Sequence, residues 1–117
     1  MTGLAGERCQ ACHGDTPPLP EAEVEELLEQ LSGAWDRSGA LIRRHIQTRD
    51  FAESFSLATR VALLAEREGH HPELQVGWGH LVVELTTHAA GGLTRNDFIM
   101  AAKVDRVIGP APDEPRP

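Results

Sequence analysis

The chain has 117 residues, of which 40% are hydrophobic and 25% are charged, proportions that are ordinary for a soluble globular protein. Its formal net charge is −7 and only 4% of its residues are aromatic. A nucleic-acid surface normally offers a basic patch and stacking rings, so we predict no direct binding to nucleic acid. A chain of this length supports one domain with a modest core, and association between copies would help to bury more surface.

The sequence also argues against a membrane protein and against a secreted one. No apolar run approaches the ~20 residues of a transmembrane helix. Residues 1–6 lack the basic and apolar regions of a secretory signal. We therefore predict no membrane association and a cytoplasmic location.

Residues 1–18 are predicted to form a flexible leader, because glycines recur along it and it ends in Pro17-Pro18. The leader contains the motif Cys9-x-x-Cys12-His13. Such a motif occurs in c-type haem attachment sites, in redox-active cysteine pairs and in half-sites for zinc. Haem attachment would require export, and a closed zinc site would require a fourth ligand. A reduced pair of thiols is the simplest interpretation, and a metal or redox site is the alternative.

Two segments of the first half have the apolar spacing of helices. Residues 21–31 place apolar side chains at helical intervals, and Pro20 suits the first turn. Residues 51–68 follow the capping pair Asp50 and Glu53. The apolar stripe of this second helix is wide, which predicts burial on more than one side and a position across a sheet.

A third helix is predicted after Thr94, which with Asp97 forms a capping pair. It ends before residues 109–117, a proline-rich tail that we expect to be disordered. Residues 19–108 are thus the predicted folded domain.

The segments between these helices predict two β-hairpins. The first spans residues 35–47 with its turn near Ser38-Gly39, and the second spans residues 74–88 with its turn near Gly79. In the last strand the side chains predicted to face one way are Leu81, Val83 and Leu85. The order α-ββ-α-ββ-α predicts an α+β fold, a two-layer sandwich of a four-stranded antiparallel sheet with helices on one face. The other face is left for solvent or a partner subunit.

Three of the six histidines are predicted to meet at element ends. Gly69 suits the left-handed residue after a helix and Pro72 prevents the helix from restarting, so His70 and His71 should lie on a short turn. His88 ends the predicted last strand. If these two ends are neighbours, three imidazoles line one pocket, and a cluster with unperturbed pKa values of ~6.5 can move protons near neutral pH.

Each of these residues also has a simpler interpretation. A single histidine at a helix end is usually a capping or surface residue, and Glu66 is either a solvated carboxylate or a group that orients an imidazole. Asp97 serves the third helix as a cap as much as it serves a pocket. Trp35 is most simply an ordinary core residue. His80 falls at the opposite strand end and is left out of the site.

The spacing of these residues is similar to the signature of the pterin-4a-carbinolamine dehydratase family. The similarity lies in Glu-x-x-x-His-His-Pro, a following aromatic residue, a histidine and an aspartate, and it covers roughly residues 20–108. The positions that carry it are Glu66, His70, His71, Pro72, Trp78, His88 and Asp97.

The resemblance implies dehydration of 4a-hydroxytetrahydrobiopterin, or a related pterin carbinolamine, to quinonoid dihydropterin in tetrahydrobiopterin recycling. It implies general acid and base catalysis by His70, His71 and His88, with His71 mainly binding the pterin. The implied substrate-binding residues are Gly69, His70, His71, Pro72, Thr86, Thr87, His88, Ala89 and Trp35. The implied supporting residues are Glu66, Trp78 and Asp97. No metal or organic cofactor is expected, because the leaving hydroxyl group requires only a proton.

The resemblance also bears on partners. It implies a homodimer or a homotetramer with the same two-layer sandwich fold, and an aromatic amino acid hydroxylase is a candidate pathway partner. Members of the family can also act as dimerisation partners of transcription regulators. A protein-binding module with little or no activity is therefore the alternative function.

Overall fold

The computed structural model describes residues 3–11 and 14–109. Its helices and strands follow the predicted order, and the α+β fold class is confirmed. The elements are α1 (Glu21–Glu29), β1 (Trp35–Ser38), β2 (Leu41–Gln47), α2 (Phe51–Glu68), β3 (Glu73–Gly77), β4 (His80–Leu85) and α3 (Arg95–Ile108). Within the described ranges, no helix is long and apolar enough to cross a membrane.

The four strands form one antiparallel sheet in the order β1-β2-β4-β3. The two hairpins meet through β2 and β4, where Ile42 pairs with Leu85 and Ile46 pairs with Leu81. These side chains are fully buried on the face covered by the helices. On the opposite face of β2, Arg43 and His45 are exposed. The sheet therefore has one buried and one open face, as the alternation of apolar and polar residues along the strands predicts.

Helix α2 begins and ends where its sequence signals predict. The Asp50 side chain accepts a hydrogen bond from the Glu53 backbone N–H at 2.8 Å, which caps the first turn. Gly69 ends the helix with φ of 70°, a left-handed conformation that favours glycine. The helix is buried on one side only in the single chain, since Phe51, Phe55 and Leu63 remain 49%, 59% and 60% exposed. This differs from the predicted burial on more than one side.

Strand β4 ends at Leu85, three residues before the predicted end at His88. A short 3-10 turn, His88–Ala90, follows it, and Gly91 has φ of 70°. Thr87 and Gly92 exchange backbone hydrogen bonds of 3.3 Å across this turn. The strand stops because the chain pairs with itself here and can no longer pair with β2.

Residues 3–11 of the leader, for which composition suggested flexibility, pack on the domain. Leu4 is buried in the core, and Glu7 forms two hydrogen bonds with Arg95, of 2.8 and 2.7 Å. The predicted Cys9-x-x-Cys12-His13 motif lies partly outside the described residues, which include Cys9 but not Cys12 and His13. Apart from Gly109, the predicted tail also lies outside them.

Candidate active site

An open cleft of about 250 Å³ lies where the end of α2, the segment after β4 and the start of α3 meet. All three predicted histidines line it, although they come from two separate loops. The cleft wall is formed by Gln10, Ala11, Gly69, His70, His71, Thr86, Thr87, His88, Ala89 and Asn96. Pockets for drug-sized ligands run from ~300 to ~1,000 Å³, so this volume suits a small heterocycle.

His70 is the most constrained of the three histidines. Its Nε2 lies 2.7 Å from Oδ1 of Asp97, and its side chain is only 11% exposed. Asp97 is fully buried. An ionised carboxylate only accepts hydrogen bonds, so His70 donates through Nε2–H. In the neutral ring, Nδ1 is then the nitrogen with the lone pair.

The other oxygen of Asp97 is held by the turn before α3. Oδ2 accepts hydrogen bonds from Thr87 Oγ1 at 2.7 Å and from the Thr94 backbone N–H at 2.9 Å. The two threonine hydroxyls lie 2.8 Å apart. Thr94 and Asp97 complete the predicted capping box, so one carboxylate caps α3 and orients His70.

His71 and His88 lie in more open positions. His71 Nε2 is 2.5 Å from Glu66 Oε2, but these side chains are 59% and 75% exposed. Glu66 thus contacts the imidazole of His71, at a place open to solvent. His88 is exposed on the 3-10 turn and also borders a second, neighbouring cavity of about 310 Å³. This cavity shares Thr86, Thr87 and His88 with the cleft.

Five of the predicted site residues are absent from the part of the cleft wall that the described residues form. Glu66 and Asp97 instead contact His71 and His70, and the other three are Trp35, Trp78 and Pro72. Trp35 is a core residue, because its ring is buried and its Nε1 donates a 2.9 Å hydrogen bond to Asp105. Trp78 lies at the β3–β4 turn and is 73% exposed. Pro72 acts through the backbone by separating α2 from β3.

The structure also adds cleft residues that the sequence did not indicate. Gln10 and Ala11 come from the leader, and Asn96 comes from the first turn of α3. The side chain of Asn96 contacts Gln10 across a separation of 86 residues. No local pattern in one sequence signals a contact of that range.

The described part of the leader motif has no metal-binding arrangement. Among residues 3–11 and 14–109, no three or more His, Cys, Asp or Glu side chains are grouped to hold a metal ion. The Cys9 thiol is half-buried, and burial together with the nearby Glu68 carboxylate raises its pKa to about 12. Because the thiolate is the reactive form, Cys9 is poorly suited to nucleophilic or ligand chemistry in this conformation.

A family model described as pterin 4 alpha carbinolamine dehydratase matches residues 17–107. The chain belongs to this family. A protein of Nitrosospira multiformis that is provisionally named pterin-4-alpha-carbinolamine dehydratase is 42% identical over 105 residues, which cover 90% of this chain and 92% of that protein. A protein of the same provisional name from Methylococcus capsulatus is 41% identical, with coverage of 92% and 96%. The family resemblance seen in the sequence is thereby confirmed.

A solved structure supports the same assignment. The transcriptional coactivator/pterin dehydratase of Brucella melitensis superimposes with a TM-score of 0.73 at 33% identity. The match covers 79% of this chain and 99% of the Brucella chain. The pterin carbinolamine dehydratase family model begins at residue 17, so most of the leader, including Gln10 and Ala11, lies outside the matched region.

Proposed function

We propose that this chain dehydrates a pterin 4a-carbinolamine, 4a-hydroxytetrahydrobiopterin or a close relative, in tetrahydrobiopterin recycling in the cytoplasm. The observation that carries the proposal is the 2.7 Å contact between His70 and buried Asp97 in a cleft that His71 and His88 also line. Membership of the family supports the substrate class.

The reaction requires two proton transfers. The C4a hydroxyl group is a poor leaving group until it is protonated and departs as water. Loss of the N5 proton supplies the electron pair that forms the C4a=N5 double bond, which gives the quinonoid dihydropterin. Histidine can serve as acid or base near neutral pH, and each well-placed group contributes ~10²–10⁴-fold.

The surroundings of the histidines suggest which of them transfer protons and which binds the pterin. His70, held by Asp97, offers Nδ1 to the cleft chemistry, and we assign proton transfer to His70 and His88 together. His71 lies with Glu66 at the exposed side of the cleft and binds and orients the pterin.

Stopped-flow measurement of carbinolamine dehydration tests the proposal. We expect His70→Ala and His88→Ala each to lower kcat by ~10²–10⁴-fold, with a smaller effect for His71→Ala, mainly on KM. His45→Ala is the matched control, because His45 lies on the open face of the sheet and stacks on His80, 6.1 Å away. Wild-type protein that fails to accelerate dehydration would sink the proposal, as would His70 and His88 variants that match it.

A second candidate function is a dimerisation module for a transcription regulator. The Brucella structure is described as a transcriptional coactivator as well as a pterin dehydratase, and α2 exposes Phe51, Phe55 and Leu63. This function predicts a stable complex with a regulator that survives His70→Ala, together with no dehydratase activity in the wild type. Activity in the wild type that depends on His70 would favour the enzyme.

A further inference from the structure

The leader contributes a fixed wall to the cleft through a clamp on Gln10. The Gln10 backbone N–H donates to Asn96 Oδ1 at 2.9 Å, and Asn96 Nδ2 donates to the Gln10 carbonyl oxygen at 2.6 Å. Asn96 is buried, with 5% exposure. Two hydrogen bonds from one buried amide hold this peptide in place, and breaking hydrogen bonds of a buried polar group costs free energy.

The residues before Gln10 are anchored to helices α2 and α3. The Cys9 backbone N–H donates to Glu68 Oε1 at 3.0 Å, and the Arg8 guanidinium lies 3.2 Å from Glu68 Oε2. The carboxylate of Glu68 is 6% exposed and also lies 3.6 Å from Lys103 Nζ. The leader is therefore tied to the last turn of α2 and to α3, the helices that position His70 and Asp97.

Consecutive residues of α3 thus hold the leader and the His70 ring. Asn96 binds the Gln10 backbone, and Asp97 binds the His70 ring. Gln10, Ala11 and His70 all line the cleft. A ligand whose reacting carbon meets His70 therefore also has the leader at its side.

The Gln10 side chain matches one edge of a pterin. A carboxamide offers one acceptor oxygen and an NH₂ donor. The C4=O and N3–H groups of a pterin form a complementary acceptor and donor pair, and C4 is bonded directly to C4a, the reacting carbon. We propose that Gln10 is a substrate-binding residue that pairs with this edge, Oε1 accepting from N3–H and Nε2 donating to O4. In the structure, Nε2 donates a long, 3.5 Å hydrogen bond to the Arg8 carbonyl oxygen.

The inference rests on the proposed function for the ligand class, so its test measures binding and catalysis separately. The variant is Gln10→Ala, and the control is Gln30→Ala, an exposed glutamine just past α1. The probes are pterin and N3-methylpterin, whose methyl group removes the N3–H donor. Their binding is followed by fluorescence titration, and dehydration is followed by stopped flow.

We expect Gln10→Ala to raise the KM for the carbinolamine and the Kd for pterin by ~3–30-fold, because one or two hydrogen bonds to the ligand are lost. The kcat should be almost unchanged. We also expect wild-type protein to prefer pterin over N3-methylpterin and the variant to lose that preference. A merely structural role of Gln10 would weaken both probes equally and leave the preference intact.

Failure of the proposed Gln10 role and failure of the proposed function give different results. Wild-type protein that binds and dehydrates pterins while Gln10→Ala keeps the same Kd, KM and preference overturns the role of Gln10 and leaves the proposed function standing. Wild-type protein that neither binds pterin nor accelerates dehydration overturns both.

Discussion

At the residue scale, Asp97 links the start of α3 to the imidazole of His70. One carboxylate oxygen accepts from His70, and the other accepts from Thr87 and from the Thr94 backbone. Because Asp97 is fully buried, each of these bonds is made away from water, where an unmade bond is costly. The same side chain therefore contributes to folding and to the orientation of the histidine.

Replacing Asp97 by asparagine should lower both activity and stability. The amide has only one acceptor oxygen, so either His70 or the helix cap loses a partner. We expect kcat for dehydration to fall ~10–100-fold, as for loss of other groups that orient a reacting imidazole. The free energy of unfolding should fall by ~1–3 kcal/mol in urea titrations. Asp36→Asn, at an exposed position on β1, is the control. An Asp97→Asn enzyme with wild-type kcat would contradict this role.

At the scale of elements, the end of α2 presents two histidines to the cleft. Gly69 reverses the chain direction at a left-handed φ, and His70 and His71 follow at once. The turn positions the two rings because Pro72 prevents another helical turn. The left-handed glycine is thus a condition for the site, and its surroundings leave open space for a Cβ atom.

Gly69→Ala should destabilise the protein through its backbone conformation alone. A left-handed conformation costs a residue with a Cβ atom ~1–2 kcal/mol, and we expect that loss in the free energy of unfolding. Gly33→Ala is the matched control, since Gly33 also has open space around it but no positive φ, and its effect should be near zero. Equal effects of the two substitutions would contradict the explanation. Dehydration assays on both variants report whether the turn also displaces His70.

Strand β2 and helix α3 are joined by a buried charge pair that periodicity alone did not identify. Arg44 is 3% exposed and forms a salt bridge with Asp105, which also accepts hydrogen bonds from Trp35 Nε1 and from Ser32 Oγ. Within the described part of the chain, Arg44 Nε makes no hydrogen bond of its own. The guanidinium therefore depends strongly on Asp105.

Removing Asp105 should lower the free energy of unfolding more than replacing Arg44 does. Asp105→Ala leaves a buried guanidinium without its counter-ion, a change that costs ~3–5 kcal/mol, and the partial exposure of Asp105 favours the lower value. Arg44→Met fills similar space without a charge and should cost clearly less. Urea unfolding of the two variants, with Asp36→Ala as a surface control, checks the order. The reverse order would show that the packing of Arg44, and not its charge, matters most.

At the scale of the whole molecule, a short chain leaves an apolar helix face uncovered. Phe51, Phe55 and Leu63 lie on α2, and Phe51 and Phe55 contact each other with ring centroids 6.2 Å apart. Exposed apolar surface of this kind is typical of an interface. The homodimer or homotetramer expected from the family remains a prediction, and this face is where we expect the copies to meet.

A charge on that face should therefore reduce the oligomer size. We expect wild-type protein to sediment as a dimer or tetramer and Leu63→Asp to shift to smaller species, because a carboxylate would be buried without a partner. Ala22→Asp, on the exposed side of α1, should leave the distribution unchanged. A monomeric wild type, or a Leu63→Asp variant of unchanged size, would be the contrary result.

The features that the sequence determined are those whose signals lie within a few residues. The bounds of α2 follow from Asp50 and Gly69, and the hairpins follow from strand alternation and their turn residues. The turn that carries His70 and His71 was also predictable, because Gly69 and Pro72 mark the end of α2, whereas the position of His88 beside them depends on how the two element ends pack. Family membership followed from the fixed spacing of the same residues.

Only the tertiary structure decided which distant residues share a surface. It placed Gln10 beside Asn96 and Arg44 beside Asp105, across 86 and 61 residues, and it decided between the two positions open to Trp35 in favour of the core. It also ended β4 at Leu85, where pairing with β2 stops. Periodicity reports which side of an element is apolar, but the partner of that side depends on how all the elements pack together. The leader shows this most clearly, because its composition suggests flexibility while contacts with two helices make it part of the cleft.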